Sequence, residues 1–246
     1  MTTAIYVDSR LRVPGGTDSD FEIVLREPVA LEGARVRFDN IRFVDSFYTT
    51  ALGRHIYFKD GSGGITAYAL PEQAYTGARL AAAIQTATGR TTTYSDLTNQ
   101  ITQVVVSGQE WLSDEELRNY TSGFPAGASP TAPKSINSVL GPSFIDPDTG
   151  NLVWGFVKMS PYDHVFLRSR RLTLENSHGP QGEHHTLAMV PLTDGIGRTV
   201  TGQSPDSVYY SVGDCVLRHI DFQLVDYLGQ PVDLKGRSLS FTITID

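Results

Sequence analysis

Cysteine is almost missing from this chain. Cys215 is the only one in 246 residues, so no internal disulfide can form and the fold does not depend on an oxidising compartment. It lies in the strand-like run Asp214-Cys215-Val216-Leu217, where a small buried apolar group is expected rather than a nucleophile. Long apolar runs are missing too, none approaching the ~20 residues a membrane helix needs. The opening stretch MTTAIYVDSR has no charged segment followed by an apolar one, so the expectation is a soluble protein without a signal peptide or membrane insertion. Positive charge is scarce: 20 Lys and Arg against 27 Asp and Glu give a net charge of −7. That argues against a general nucleic-acid coat, which needs many cations to displace counterions from phosphates. The densest basic cluster, Arg168-Ser169-Arg170-Arg171, reads as a solvated edge or a subunit contact, with a local anion contact as the alternative. There is no tandem repeat, no Walker or dinucleotide fingerprint and no Gly-x-Ser-x-Gly elbow.

What the chain does have is many short strands. Hydrophobic residues make up 40% and charged residues 19%, and a chain of this length hides roughly 70–75% of its extended surface on folding. Period-2 or short apolar runs occur at Ile5–Val7, Phe21–Leu25, Ala34–Val44, Ile56–Phe58, Ile101–Val106 and Val153–Val157. They continue at Val165–Leu167, Thr186–Val190, Val208–Val212, Val216–Val225 and Leu239–Ile245. The stretch RVRFDNIRFV shifts phase at Asp39-Asn40, which predicts a bulge or a bend between sheets. Turn chemistry separates the runs at Pro14-Gly15-Gly16, Asp60–Gly64, Pro147–Gly150 and Leu228–Pro231. Gly15-Gly16 precedes a strand, whereas phosphate cradles feed a helix N-terminus, so a structural turn is expected there.

Two segments have helical spacing. TGARLAAAIQTATG puts Leu80, Ala81, Ile84 and Ala87 on one face and ends at Gly89, a C-cap residue. SDEELRNY places Ser113 and Glu116 in capping-box spacing. A hairpin turning at Asp96–Asn99 lies between them, and Ser122–Pro133 reads as a loop. The fold class expected is all-β: a single jelly-roll β-sandwich with an inserted segment carrying one or two short helices. The organisation expected is one domain over 1–246 with the insertion at about 70–133.

Candidate chemistry is sparse. The run ENSHGPQGEHHT offers Glu175, His178, Glu183, His184 and His185, but adjacent histidines on an extended chain point to opposite faces, and the spacing matches no zinc pattern. A polar loop between strands is the plainer reading. Asp146–Asn151 resembles the start of a calcium loop, yet the twelfth position is Val157 and Pro147 sits inside, so a hairpin turn is expected. His219-Ile220-Asp221 would put a His and an Asp on one strand face, as a jelly-roll oxygenase needs. Its third ligand would have to be His164, His185 or His55, without supporting context.

Read in order, several landmarks resemble the penton-type minor capsid proteins of the Polinton, adintovirus and virophage group of double-stranded DNA viruses and virus-like transposons. They are SRLRVPGGTDSDFEIVL, VRFDNIRFVDSFYTT, LPEQAYTGARLAAAIQ, EWLSDEELRNY with SINSVLGPS, and the closing FQLVDYLGQPVDLKGRSLSFTITI, spanning Ser9 to Ile245. Pro71-Glu72-Gln73-Ala74 stands where that family typically has a glycine. The resemblance implies a single jelly roll assembling as a homopentamer at the fivefold vertices of an icosahedral capsid, beside a double-jelly-roll major capsid protein. It places the chain in the virion after synthesis in the host cytoplasm. Because the carboxylates and histidines form no recognised constellation, no enzyme activity, no catalytic, cofactor or metal residues and no cofactor are expected, and the net charge leads to no expectation of a specific nucleic-acid partner. The resemblance also implies that Arg10 and Arg12 lie at a subunit or shell contact. The alternatives are a viral spike or receptor-binding head and, more distantly, the metal-dependent oxygenase above.

Overall fold

The computed structural model describes residues 2–120, 135–172, 177–180, 182, 185–193, 195–202 and 209–246. Two compact units emerge: Met1–Phe47 with Tyr162–Asp246, and Tyr48–Pro161, which interrupts the first in the chain. The expected insertion at about 70–133 lies inside the second unit, which extends further at both ends.

The first unit begins with β1 (Thr3–Asp8), a 3-10 turn at Ser9–Leu11, β2 (Asp20–Ala30) and β3 (Arg35–Val44). The second unit contributes β4 (His55–Asp60), β5 (Ile65–Ala69), α1 (Gly77–Thr88), β6 (Thr92–Ser95), β7 (Gln100–Gln103) and β8 (Gln109–Trp111). It continues with α2 (Asp114–Arg118), α3 (Asn137–Leu140), β9 (Ser143–Ile145) and β10 (Leu152–Trp154). The chain then returns to the first unit through β11 (His164–Arg168), β12 (Thr186–Pro191), β13 (Thr199–Gly202), β14 (Tyr210–Ser211), β15 (Val216–Val225) and β16 (Ser240–Ile245).

In the first unit one sheet has the order β1-β16-β3-β13, with β14 also on β3, and the other β12-β11-β15-β2. Every pairing in both is antiparallel. Lettered B to I in chain order, with β13 and β14 sharing the G position, these sheets read B-I-D-G and F-E-H-C. That is the strand order of a jelly roll, with the second unit between strands D and E. Period-2 alternation builds it. In β16, Phe241, Ile243 and Ile245 are buried while Ser240, Thr242 and Thr244 are partly exposed, each buried side chain stabilising by roughly 1.5–3 kcal/mol. The phase shift expected at Asp39-Asn40 is a bulge: the register with β16 slips between Ser240 and Thr242, and Asn40 has a φ of 52°.

The second unit carries two sheets, β5-β4-β8 and β6-β7-β10-β9. Helix α1 starts at its N-cap Thr76, whose side chain accepts from Arg79 N, and stops at Gly89 with a φ of 70°. Its buried face, Leu80, Ala81 and Ile84, packs with Ile101, Val139 and Trp154 in one apolar cluster. Gly77 has to be glycine because a Cβ would stand 2.2 Å from the Tyr94 ring. At α2 the capping box forms as spaced, Ser113 to Glu116. The Asn137–Leu140 stretch forms the short helix α3. Its anchor is Asn137 Nδ2, donating to Leu112 O at 3.0 Å and Asp114 Oδ1 at 2.9 Å. Two strands are shorter than expected. The run Ile101–Val106 leaves the ladder at Gln103, because a turn closed by Gln109 N to Val106 O follows. Val153–Val157 ends at Trp154, because Phe156 adopts a φ of 54°.

Candidate interaction surface

The stretch between β1 and β2 is a brace rather than a ligand loop. Asp8 accepts from the backbone N–H and the guanidinium of Arg10, a contact that holds its carboxyl below the usual range. Arg12 donates to Ser9 O at 2.9 Å, Asp18 Oδ1 at 2.7 Å and Gly16 O at 3.0 Å. Fully buried Ser9 accepts from Leu239 N at 3.0 Å, tying the turn to the approach to β16. A Cβ on Gly16 would lie 2.9 Å from Asp20 O, so the close pass of the loop over β2 requires glycine. Both arginine heads are engaged within their own segment. This corner also turns two large hydrophobic side chains outward: Tyr6 is 81% and Leu11 77% exposed. Ile5 and Val7 alternate inward, and among the described residues β1 pairs only with β16, which leaves a sheet edge beside Tyr6.

On the other sheet, His219 and Asp221 share a strand face as expected, with His219 Nδ1 and both Asp221 carboxylate oxygens held by protein partners. His219 Nδ1 lies 2.8 Å from Glu22 Oε1 on β2, and Arg171 reaches both Glu22, at 3.3 Å, and His219 O, at 3.1 Å. Asp221 accepts from Ser169 Oγ at 3.3 Å and from the backbone N–H groups of Arg170 and Arg171 at 3.1 Å each. Ser169 Oγ in turn accepts from Leu172 N at 3.1 Å. The basic cluster is therefore a turn folded around a carboxylate. Losing that carboxylate removes hydrogen bonds to a charged acceptor, worth roughly 1.5–3 kcal/mol, whereas the exposed His219 pair contributes ~1 kcal/mol at most. Urea unfolding is expected to show Asp221→Ala costing about 2 kcal/mol and His219→Ala well under 1. Equal losses, abolished together by a chelator, would point to a shared metal instead.

Among the described residues no other histidine joins this pair in a metal-binding group. His164 stacks edge-on to Phe166 at 5.7 Å on β11, His55 lies on β4 in the second unit, and the backbone carbonyl of His185 accepts from Ser169 N. Glu175, Glu183 and His184, like the loop Ser122–Pro133 and the start of the Val208–Val212 run, lie outside the described residues. Among the described residues no three His, Cys, Asp or Glu side chains cluster as a metal site. Asp146 caps its own hairpin turn, accepting from Asp148 N at 3.0 Å and Thr149 Oγ1 at 2.6 Å, and those bonds lower its pKa. Cys215 is half-buried, and burial raises its thiol pKa. Burial also pushes Tyr162 up to about 12 and raises the carboxyl of fully buried Asp45. Sequence reasoning passed over Tyr6, although its place between buried Ile5 and Val7 already turns it outward.

Geometry thus defines an antiparallel jelly roll carrying an inserted unit, with an exposed sheet edge and, among the described residues, no group of three or more His, Cys, Asp or Glu placed to hold a metal. A solved structure of the mavirus penton protein shares this fold over 100% of this chain and 99% of that one, with a TM-score of 0.54 and 9% identity. A chain in the 3.5 Å cryo-EM structure of the Sputnik virophage aligns over 98% and 97%, with a TM-score of 0.47 and 11% identity. No protein-family model and no curated protein matches the chain.

Proposed function

We propose that this chain is a structural virion protein, a penton subunit that forms homopentamers at the fivefold vertices of an icosahedral capsid and works as one capsid domain with an insertion. The observation that carries the reading is the end-to-end likeness to the mavirus penton protein, in which the jelly roll and the inserted unit are matched together. The described candidates for chemistry agree with a non-enzymatic role: His219, Asp221 and Asp146 each serve a local turn or ion pair. The proposed partners are further copies of the chain and a double-jelly-roll major capsid protein.

A closed ring makes heterologous contacts, one face of the subunit against a different face of its neighbour. The unpaired edge of β1 with Tyr6 and Leu11 suits one side of such a contact. Each subunit brings seven net negative charges, and their repulsion is screened within ~10 Å at 0.1 M salt. Sedimentation across a salt series is therefore expected to show a monomer–pentamer equilibrium moving toward the pentamer as ionic strength rises. A monomer at every salt and protein concentration, or a stable trimer, would overturn the reading.

A further inference from the structure

The second unit contains a groove of about 970 Å³, formed entirely by its own residues. Two strands that line it, β8 and β9, are sheet edges: among the described residues β8 pairs only with β4, and β9 only with β10. The hydrogen bond from Leu112 N to Tyr57 O fixes the phase of β8. Glu110 therefore bonds toward β4, and the backbone groups of Gln109 and Trp111 point the other way. The bonds from Gly155 N to Pro142 O and from Asp146 N to Asn151 O fix β9 in the same manner. Phe144 faces β10, and the N–H and C=O groups of Ser143 and Ile145 point away from it. Gln109 N is taken by Val106 O, but the others form rows of donors and acceptors repeating every second residue, about 7 Å. That repeat matches an added strand, not a small molecule.

The side chains around these rows specify what kind of strand. Phe144 is 50% and Ile145 56% exposed, an apolar lip left in solvent. Among the described residues, Glu110, Asp114, Glu115 and Glu116 line the groove against one cation, Arg90. Arg90 is buried, with its guanidinium 4.0 Å from the Phe58 ring centre and bonded to the Gln109 side chain, so its charge is already engaged within the protein. A strand entering here meets negative charge and apolar surface together.

We infer that this groove docks an extended segment of another polypeptide in which apolar residues alternate with Lys or Arg, by adding it as a strand to the free edge of β9. The inference rests on the groove alone and holds whether or not the chain forms pentamers. Nucleic acid and acidic peptides share the sign of the groove's charge and are excluded by it.

The test uses the whole protein and a capped octapeptide of alternating Lys and Val, titrated at low salt and followed by tryptophan fluorescence, since Trp111 lines the groove. Saturable binding is expected, at least tenfold weaker when Lys is replaced by Glu in the peptide and at least tenfold weaker in 0.5 M NaCl. The same peptide N-methylated at alternate residues leaves the protein untouched and removes half of the strand's donors; it too is expected to bind at least tenfold more weakly. Ile145→Pro removes a donor on the free edge of β9 without touching the ladder to β10, and should match that loss while circular dichroism stays unchanged. Undiminished binding of the N-methylated or the Glu-containing peptide would overturn the inference. So would no binding at millimolar peptide, or a fluorescence change driven by protein concentration alone, which would mean that a second copy fills the groove.

Discussion

Replacing Phe222 with alanine is expected to destabilise the first unit by about 3–5 kcal/mol, the range for truncating a fully buried aromatic ring. Phe222 is 0% exposed on β15, with its ring 4.8 Å from Phe241 on β16 in an edge-on arrangement and 5.7 Å from Phe21 on β2. β15 and β16 belong to different sheets, so this contact is one of the places where the two layers of the jelly roll are held together. Deleting it removes the transfer energy of the ring and leaves a cavity that two rigid sheets cannot close. At about 4 °C per kcal/mol, the thermal midpoint read by far-UV circular dichroism should fall by ~12–20 °C. Phe222→Leu keeps most of the volume and should cost no more than ~1.5 kcal/mol. A Phe222→Ala protein with a midpoint within 3 °C of the parent would show that the sheets do not pack through this residue.

The jelly roll was legible in the sequence because both of its signals are local. Period-2 runs marked the strands, and turn residues such as Pro14-Gly15-Gly16 and Leu228–Pro231 marked where they end. Local chemistry also fixed α1 and α2, since the caps Thr76, Gly89 and Ser113 lie next to what they cap. What stayed hidden depends on partners distant in the chain. Asn137 looks like a turn residue until Leu112 and Asp114 come within hydrogen-bond reach, 25 and 23 positions away. Asp221 looks like a metal ligand until the backbone of Arg170 and Arg171, about fifty positions earlier, closes around it. The groove between β8 and β9 is of the same kind. Gln109–Trp111 and Ser143–Ile145 are too short to announce a strand, and nothing in either marks it as an edge.

Trp154 gives the second large effect and, by a feature of composition, a clean way to see it. The chain has two tryptophans, Trp111 and Trp154, both in the second unit with their rings 6.3 Å apart and nearly perpendicular. Tryptophan fluorescence therefore reports on the second unit alone, while circular dichroism reports on both. Trp154 is fully buried on β10, in the cluster that α1, β7 and α3 also join. Trp154→Ala should cost that unit about 3–5 kcal/mol, read as an earlier urea midpoint in the remaining Trp111 emission. The indole N–H adds a distinguishing detail, because among the described residues buried Nε1 of Trp154 meets no hydrogen-bond acceptor. A buried unsatisfied donor costs roughly 1–3 kcal/mol, so Trp154→Phe discards that penalty together with part of the ring. The two contributions oppose each other, and the net change for Trp154→Phe is expected to stay within about 1 kcal/mol of zero. Losses of similar size for Phe and Ala would mean that the N–H does have an acceptor and that its bond, rather than the packing of the ring, holds Trp154 in place.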